Sequence, residues 1–428
     1  MKSRHTLRII LLWVVVLAVS LSAVAQVPAQ PALSGKDRKE IFDYVWTTVS
    51  EKYYDPKMNG VDWKDVGKRY KERVGEATDE AAFYQLLQTM VGELHDAHTR
   101  IRDPYKRYLY DRLEAVTPGI SISEVEGQNV IVSVIPNSEA EKAGVKPGMI
   151  VRAINKKPIE ERLAEIYALI GSSSSDRATK ILAYVNLLDG AEDSEVLLWL
   201  ENPEDVSQTF EVKLKCKVYS TAVQVFGRKL ESGLGYIKLN RWKAPGHEQF
   251  RQELIALKDT PGLIVDLRGN GGGAPAEVLE IGSYFFGNLV PFGKFIRRSG
   301  RPDLLAAGRS GGQIYKGLVI IIVNESSGSG SELFAGVMQE IGRAWVIGRQ
   351  SCGCLLAATR KKLKGGGELD VSEFGYISPK GRKLEGDGIL PDKLVPLTLE
   401  DLRQRHDAAL EEAEKFLKNH LQPLVESK

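Results

Sequence analysis

Apolar positions along the first part of the chain repeat at helical intervals. Ile41, Val45, Val49 and Tyr53 fall four apart, and Trp63, Val66, Tyr70 and Val74 fall three to four apart, so each set predicts an amphipathic helix. A third helix is predicted over about 79–94, with Ala82, Leu86, Met90 and Leu94 on one face; it ends at His95-Asp96-Ala97-His98-Thr99-Arg100. From about 112 the period shortens to that of strands, at 119–122, 130–134 and 149–154. A short helix closed by Gly144 lies between the last two. A helical insertion around 160–190 carries the loop Ser172-Ser173-Ser174-Ser175, and strands return at 196–200 and 209–214.

Beyond 219 the pattern becomes strand, helix, strand, helix. A strand at 234–239 is followed by a helix around 246–258. The apolar run 262–267 then leads through Arg268-Gly269-Asn270-Gly271-Gly272-Gly273 into a helix over 276–286. The same unit recurs with a β-branched run at 316–324, the turn Ser326-Ser327-Gly328-Ser329-Gly330-Ser331-Glu332, and a helix over 331–341 with Ser331 as N-cap. Continuous apolar strands of this kind belong in a covered sheet, and the alternation predicts an α/β core. From Thr398 a Thr-x-x-Asp capping pattern opens a long charged helix, expected to pack with a solvated face.

The N-terminus departs from this globular pattern. Lys2, Arg4 and Arg8 precede the apolar stretch 9–18, and Ala23-Val24-Ala25 has the A-x-A form of a cleavage site, so residues 1–25 are expected to be a secretory signal peptide. Removing them turns a formal net charge of +2 into −1, which gives no reason to expect nucleic acid or an anionic membrane surface as a partner. The three cysteines, Cys216, Cys352 and Cys354, are too few for a disulfide scaffold or a four-ligand zinc site. Export would permit a Cys352–Cys354 bridge, and two reduced thiols are the alternative. His95 and His98 lack further ligands, and no metal or other cofactor is implied.

Ser329 is the candidate nucleophile. A serine between a buried strand and a helix start has an exposed hydroxyl, and the helix N-terminus beside it can stabilise an oxyanion. A flexible Gly/Ser loop is the bland alternative. The glycines at 271–273 let backbone N–H groups approach a carbonyl, although a tight turn would use them equally well.

Two resemblances sharpen these expectations. The element order over 112–218, with A-x-x-A-G-V-x-P-G-M-x-V-x-A-I-N from Ala140 to Asn155, closely resembles a PDZ domain. The full order of signal peptide, helical leader, PDZ-like module, D-L-R-G-N-G-G-G, S-G-S-G-S-E and L-E-G-D-G-I-L-P-D resembles the C-terminal processing (tail-specific) serine peptidases, over about 37–415. The resemblance implies a crotonase/ClpP-like αβ core over 219–397. Before it would come a disordered lead-in at 26–35, a helical segment at 36–111 and the inserted module, and after it a C-terminal helix at 398–428. It makes Ser329 the nucleophile ahead of Ser327 and Ser331, and Gly272 and Gly330 the oxyanion donors.

One branch of that family uses a lysine base, and the matching position here is Cys354; Lys361 and Lys362 come a segment later. The tricorn-like branch uses a histidine from the leader and a carboxylate near the end of the core. His98 in D-A-H-T and Glu385 in L-E-G-D-G match these, with Asp387 the rival carboxylate. The serine that precedes the histidine in that branch is Ala97 here. The PDZ resemblance implies that Gly119, Ile120, Ser121 and Ile122 receive a substrate C-terminus as an added strand. The expected protein is thus a periplasmic or extracellular serine endopeptidase acting on protein or peptide C-termini through an acyl-enzyme, with no stable membrane span after cleavage. Its rivals are an inactive peptide-binding adaptor on the same fold and a cysteine-based site at Cys354.

Overall fold

The computed structural model describes residues 32–202, 205, 208–308 and 314–426, so the expected signal peptide lies outside the described residues. Among the described residues no helix is long and apolar enough to cross a membrane.

The leader folds as three helices, Gly35–Lys52, Trp63–Arg73 and Glu80–Gly92. Its order begins earlier than the lead-in expected over 26–35 would allow. Ser34 closes a capping box with Asp37, and Leu33 is buried with its N–H donated to Glu80. Val45, Val49, Phe83, Leu87 and Met90 are fully buried in one cluster. The same cluster takes in Leu369 and Val371 of the strand Glu368–Ile377, so the leader is welded to the far end of the chain.

A ribbon pairing Glu114–Thr117 with Lys217–Ser220 marks where the chain enters and leaves the inserted β-domain. Its antiparallel sheet runs in the order Ile120–Val125, Gln128–Val134, Ile150–Ile154, Glu195–Glu201, Thr209–Lys215. Ile120–Val125 is therefore an edge strand. The helices Ile159–Ile170 and Asp176–Leu187 pack on this sheet around Ile131, Ile159 and Leu198.

The third unit centres on a six-stranded sheet, ordered Val225–Lys229, Gly235–Leu239, Gly262–Asp266, Leu318–Val323, Trp345–Gly348, Lys393–Leu394. Only the first strand is antiparallel to its neighbour. Helices Gly246–Ala256, Pro275–Ser283 and Gly330–Glu340 cover one face. The other face is closed by the end of the chain. In place of one long solvated helix there are two, Leu399–Gln404 and Ala408–Glu426, separated where Arg405 adopts φ 54°. Ala409, Ala413 and Leu417 of the second helix are buried against Ile264, Ile320 and Ile322. A parallel sheet needs cover on both faces; alanines at the contact made that role hard to see in the sequence.

A second sheet was not anticipated. Glu368–Ile377 pairs with Arg100–Arg102, Val290–Ile296 and Leu356–Lys362, and Val290–Ile296 pairs in turn with Asp303–Ala307. Leu356–Lys362 reads L-A-A-T-R-K-K, with no apolar run to announce a strand.

Replacing Leu417, which is fully buried, by alanine should remove about 2–4 kcal/mol of stability by leaving a cavity under the sheet. Urea unfolding followed by circular dichroism measures this, and a change below about 0.5 kcal/mol would mean the helix does not close that face.

Candidate active site

The turn that carries Ser329 is held from below by its own neighbours. Ser327 is fully buried and its hydroxyl donates to Leu267 O at 2.8 Å. Ser331 is also fully buried; its hydroxyl donates to Asn270 O at 2.8 Å and accepts from Trp242 Nε1 at 2.9 Å. Both rival serines are therefore structural. Ser329 is only half-buried, and it, not Ser331, is the residue that caps the helix Gly330–Glu340. Its backbone sits at φ 50°, ψ −112°, outside the left-handed well, a conformation that costs on the order of 1–3 kcal/mol in a non-glycine residue.

Two contacts hold that conformation. Ser329 N–H donates to Cys354 O at 3.0 Å and to Glu332 Oε2 at 2.9 Å. Gly272 lies directly against Ser329: a Cβ placed on it would stand 2.6 Å from Ser329 Cβ, and its φ is 104°. Both the close approach and the dihedral require glycine there. Gly272 N–H, expected as an oxyanion donor, is donated to Asn270 Oδ1 at 3.0 Å in this state. Gly330 N–H, the first of the helix, has no intrahelical acceptor and faces the positive end of the dipole.

Glu332 escaped the sequence reading. It is fully buried, and its carboxyl accepts from Ser351 Oγ and Gly353 N at 2.6 Å each and from Cys354 N at 3.0 Å, as well as from Ser329. Burial pushes its pKa up, and the four donors pull against that. The signal was present in the sequence as an acidic residue three after the N-cap, inside an otherwise apolar helix.

The segment that Glu332 holds is where a lysine base was sought. Cys352 and Cys354 are paired as a disulfide, which removes the free thiol that a cysteine-based site would need. Lys361 is paired with Glu373 at 2.9 Å and Lys362 is exposed. On the other side of the segment, Ala97 packs against Cys352 and Cys354. The turn bearing His98 and the turn bearing Ser329 thus flank the same short stretch of chain.

His98 Nδ1 is buried without a hydrogen-bond partner, and the backbone N–H of His98 donates to Asp96 Oδ1 at 2.7 Å. Burial lowers the imidazole pKa to about 4, against the opposing pull of the Asp96 carboxylate. No hydrogen bond joins His98 to Ser329 or to Glu385 in this state. Glu385 lies close by all the same. Its Oε2 accepts from Leu355 N at 2.5 Å, and its pKa is pushed up to about 8 by burial and by the negative charge of Asp96. Asp387, the rival, is exposed, and only its backbone carbonyl is engaged, by Arg177 and Gln350.

A cleft of about 920 Å³ opens between the leader, the inserted domain and the core. Ile120, Ser121 and Ile122 line it, as do Ala97 and Ser326, neighbours of the turns that carry His98 and Ser329. His98 and Ser329 themselves are not part of its wall. Gly119 stands at the head of the edge strand with φ 87°.

A serine held at the head of a helix that follows a buried strand, and a turn bearing an imidazole, thus meet at one disulfide segment. Comparison with known proteins places the family. Residues 233–395 match the model described as Peptidase family S41, and residues 34–92 match the Tricorn protease C1 domain. The chain therefore carries an S41 peptidase domain and is a serine peptidase. It is 25% identical to the Carboxyl-terminal-processing protease of Picosynechococcus sp., over 86% of each chain. The solved photosystem II D1 C-terminal processing protease shares its fold at TM-score 0.58 and 22% identity, over 89% of this chain and 97% of that one. The structure of mature CPAF matches at TM-score 0.67 and 12% identity, over 89% and 97%.

Exchanging Glu332 for glutamine turns an acceptor oxygen into a donor facing donors. The Glu332→Gln variant should lose about 2–4 kcal/mol of stability, from a buried charge-assisted network left unsatisfied. Urea titration measures this; an unchanged midpoint would show that the carboxyl is not the anchor of the turn.

Proposed function

We propose that the chain is an exported serine endopeptidase that recognises polypeptides at or near their C-termini and cleaves them through an acyl-enzyme. The observation that carries this reading is the strained, half-buried Ser329 with Gly272 packed against it and the free helix N–H of Gly330 beside it. Ser329 Oγ attacks the substrate carbonyl while neutral His98 takes its proton. Gly330 N–H, joined by Gly272 N–H when it leaves Asn270, holds the oxyanion. His98 then protonates the leaving amine, and water, activated by the same imidazole, releases the acyl group. A short rotation must bring His98 to the serine, as is common in substrate-free sites.

The electrostatics give Glu385 its part. With a pKa near 4, His98 is neutral but a weak base. An ionised Glu385 nearby would raise the basicity of the imidazole and stabilise the imidazolium formed during acylation. The core and the inserted module supply the rest of the assignment. The former is read as crotonase/ClpP-like. The latter is read as PDZ-like: Ile120–Val125 is an edge strand with the helix Asp176–Leu187 beside it, the geometry for a peptide added as a strand. The cleft then runs from that groove towards the catalytic turns. An inactive adaptor would share the groove but has no use for a strained serine beside a free helix N–H.

Fluorophosphonate labelling with peptide mapping tests the site. The wild-type mature protein should label at Ser329, Ser329→Ala not at all, and His98→Ala at least ~100-fold more slowly, as expected for loss of a general base. Labelling elsewhere, or indifferent to His98, removes the assignment. The labelling rate should climb with pH through about 8, where Glu385 ionises, and not through the ordinary imidazole range near 6.5. In Glu385→Gln that rise should vanish.

A further inference from the structure

Ala97 leaves the histidine turn without the hydroxyl that the tricorn-like pattern places there, yet a hydroxyl does reach it from another domain. Ser174 belongs to the loop between the two helices of the inserted β-domain, Ile159–Ile170 and Asp176–Leu187. Its Oγ accepts from Ala97 N–H at 2.9 Å. Ser174 also lies against the turn after Glu385, its carbonyl oxygen 3.6 Å from where a Cβ on Gly386 would stand. One residue therefore bonds to the neighbour of the proposed base and sits beside the proposed acid.

We propose that Ser174 is a positioning residue for the peptidase site, a hydroxyl supplied by the inserted domain that ties the His98 turn to Glu385. This rests on the reading of His98 and Glu385 given above. The loop is not placed by chance. Ser175 Oγ donates to Cys352 O at 2.5 Å, and Arg177 Nε donates to Ser351 O at 2.6 Å. Arg177 also donates to Gly386 O and Asp387 O, the residues that follow Glu385. Ser172 Oγ meets His95 Nδ1 at the far end of the histidine turn. Hydrogen bonds of Ser172, Ser174, Ser175 and Arg177 thus seat the loop on three segments that carry or flank the proposed site: the histidine turn, the disulfide segment and the Glu385 loop.

The hydroxyl has a definite electrostatic effect. Asp96 and Glu332 face Glu385 as negative charges, Tyr53 and Tyr54 of the leader lie within electrostatic reach, and the Arg177 guanidinium sits over the following carbonyls. Against burial and those two carboxylates, the nearby Ser174 hydroxyl favours the ionised form of Glu385. Removing it should leave the acid protonated to higher pH and loosen the His98 turn at once.

The test is the rate of fluorophosphonate labelling at Ser329 against pH, on the full mature chain, for wild type, Ser174→Ala and Ser174→Thr, with Ser329→Ala as the blank. Ser174→Ala should label on the order of 10-fold more slowly near neutrality, the cost of the lost hydrogen bond to the His98 turn, with its pH rise displaced upward. Ser174→Thr keeps the hydroxyl and should restore both rate and pH position, which a role confined to packing would not require. Wild-type rate and pH profile in Ser174→Ala would overturn the role while leaving the peptidase reading standing. A wild type that takes no probe at any pH, though folded, would overturn both. Should Ser174→Ala not fold, Ser174→Cys, close in size but a weaker donor, carries the same comparison.

Discussion

A carboxyl sunk beneath Ser329 has to be met by donors, and the donors that meet Glu332 are what shape this part of the molecule. Its two oxygens take the N–H of Ser329 from one side and those of Gly353 and Cys354, with the Ser351 hydroxyl, from the other. Two segments far apart in sequence are thereby fixed to one helix turn. The consequence for Ser329 is direct. Its N–H is doubly engaged, its φ is positive, and its side chain is thrust clear of the buried serines on either side. The strain of that conformation is held by a network too buried to relax, which is how unfavourable backbone geometry persists in a folded protein.

The same low dielectric sets the protonation states around it. Asp96, Glu332 and Glu385 are three acids in a mostly buried region, and they cannot all carry full charge comfortably. Glu332 is the best supplied, with four donors, and Asp96 takes those of His98 N and Thr99 Oγ1. Glu385 yields, held towards its neutral form. His98, deprived of a partner at Nδ1, yields in the opposite sense and stays uncharged. A neutral acid beside a neutral base is a resting arrangement in which neither group pays desolvation of a charge. Ionising Glu385 would turn it into one that tolerates an imidazolium.

How much of this the sequence disclosed follows from which contacts are local. The strand–turn–helix units were legible because β-branched runs at 262–267 and 316–324 and the glycines between elements are short-range signals. The three leader helices were legible for the same reason, through their apolar spacing. The second sheet was not, because Glu368–Ile377 draws its partners from positions 100, 290 and 356, and no periodicity encodes such pairings. The C-terminal helix was expected to pack, but its target was not legible because its buried face is built on Ala409 and Ala413, residues that read as neutral until the sheet beneath them is seen. Motif spacing singled out Ser329, but the roles of Ser327 and Ser331 were decided only by burial. Glu332 was overlooked because a glutamate after an N-cap is ordinarily a surface residue.

The inserted β-domain changes meaning when these contacts are taken together. Beyond the ribbon of Glu114–Thr117 and Lys217–Ser220, the domain packs Val125, Val130 and Ile150 against Leu397, Leu399 and Leu402. The loop from Ser172 to Arg177 adds bonds to the histidine turn, to the Cys352 segment and to the chain after Glu385. Most of these bonds end on backbone carbonyls or amides, so they depend on where the core's main chain lies more than on which side chains it carries. A peptide entering beside Ile120–Val125 would press on the helix Asp176–Leu187, whose first turn holds Arg177 and whose N-cap is Ser175. The helix beside that edge strand and the turn of His98 are therefore joined through one short loop.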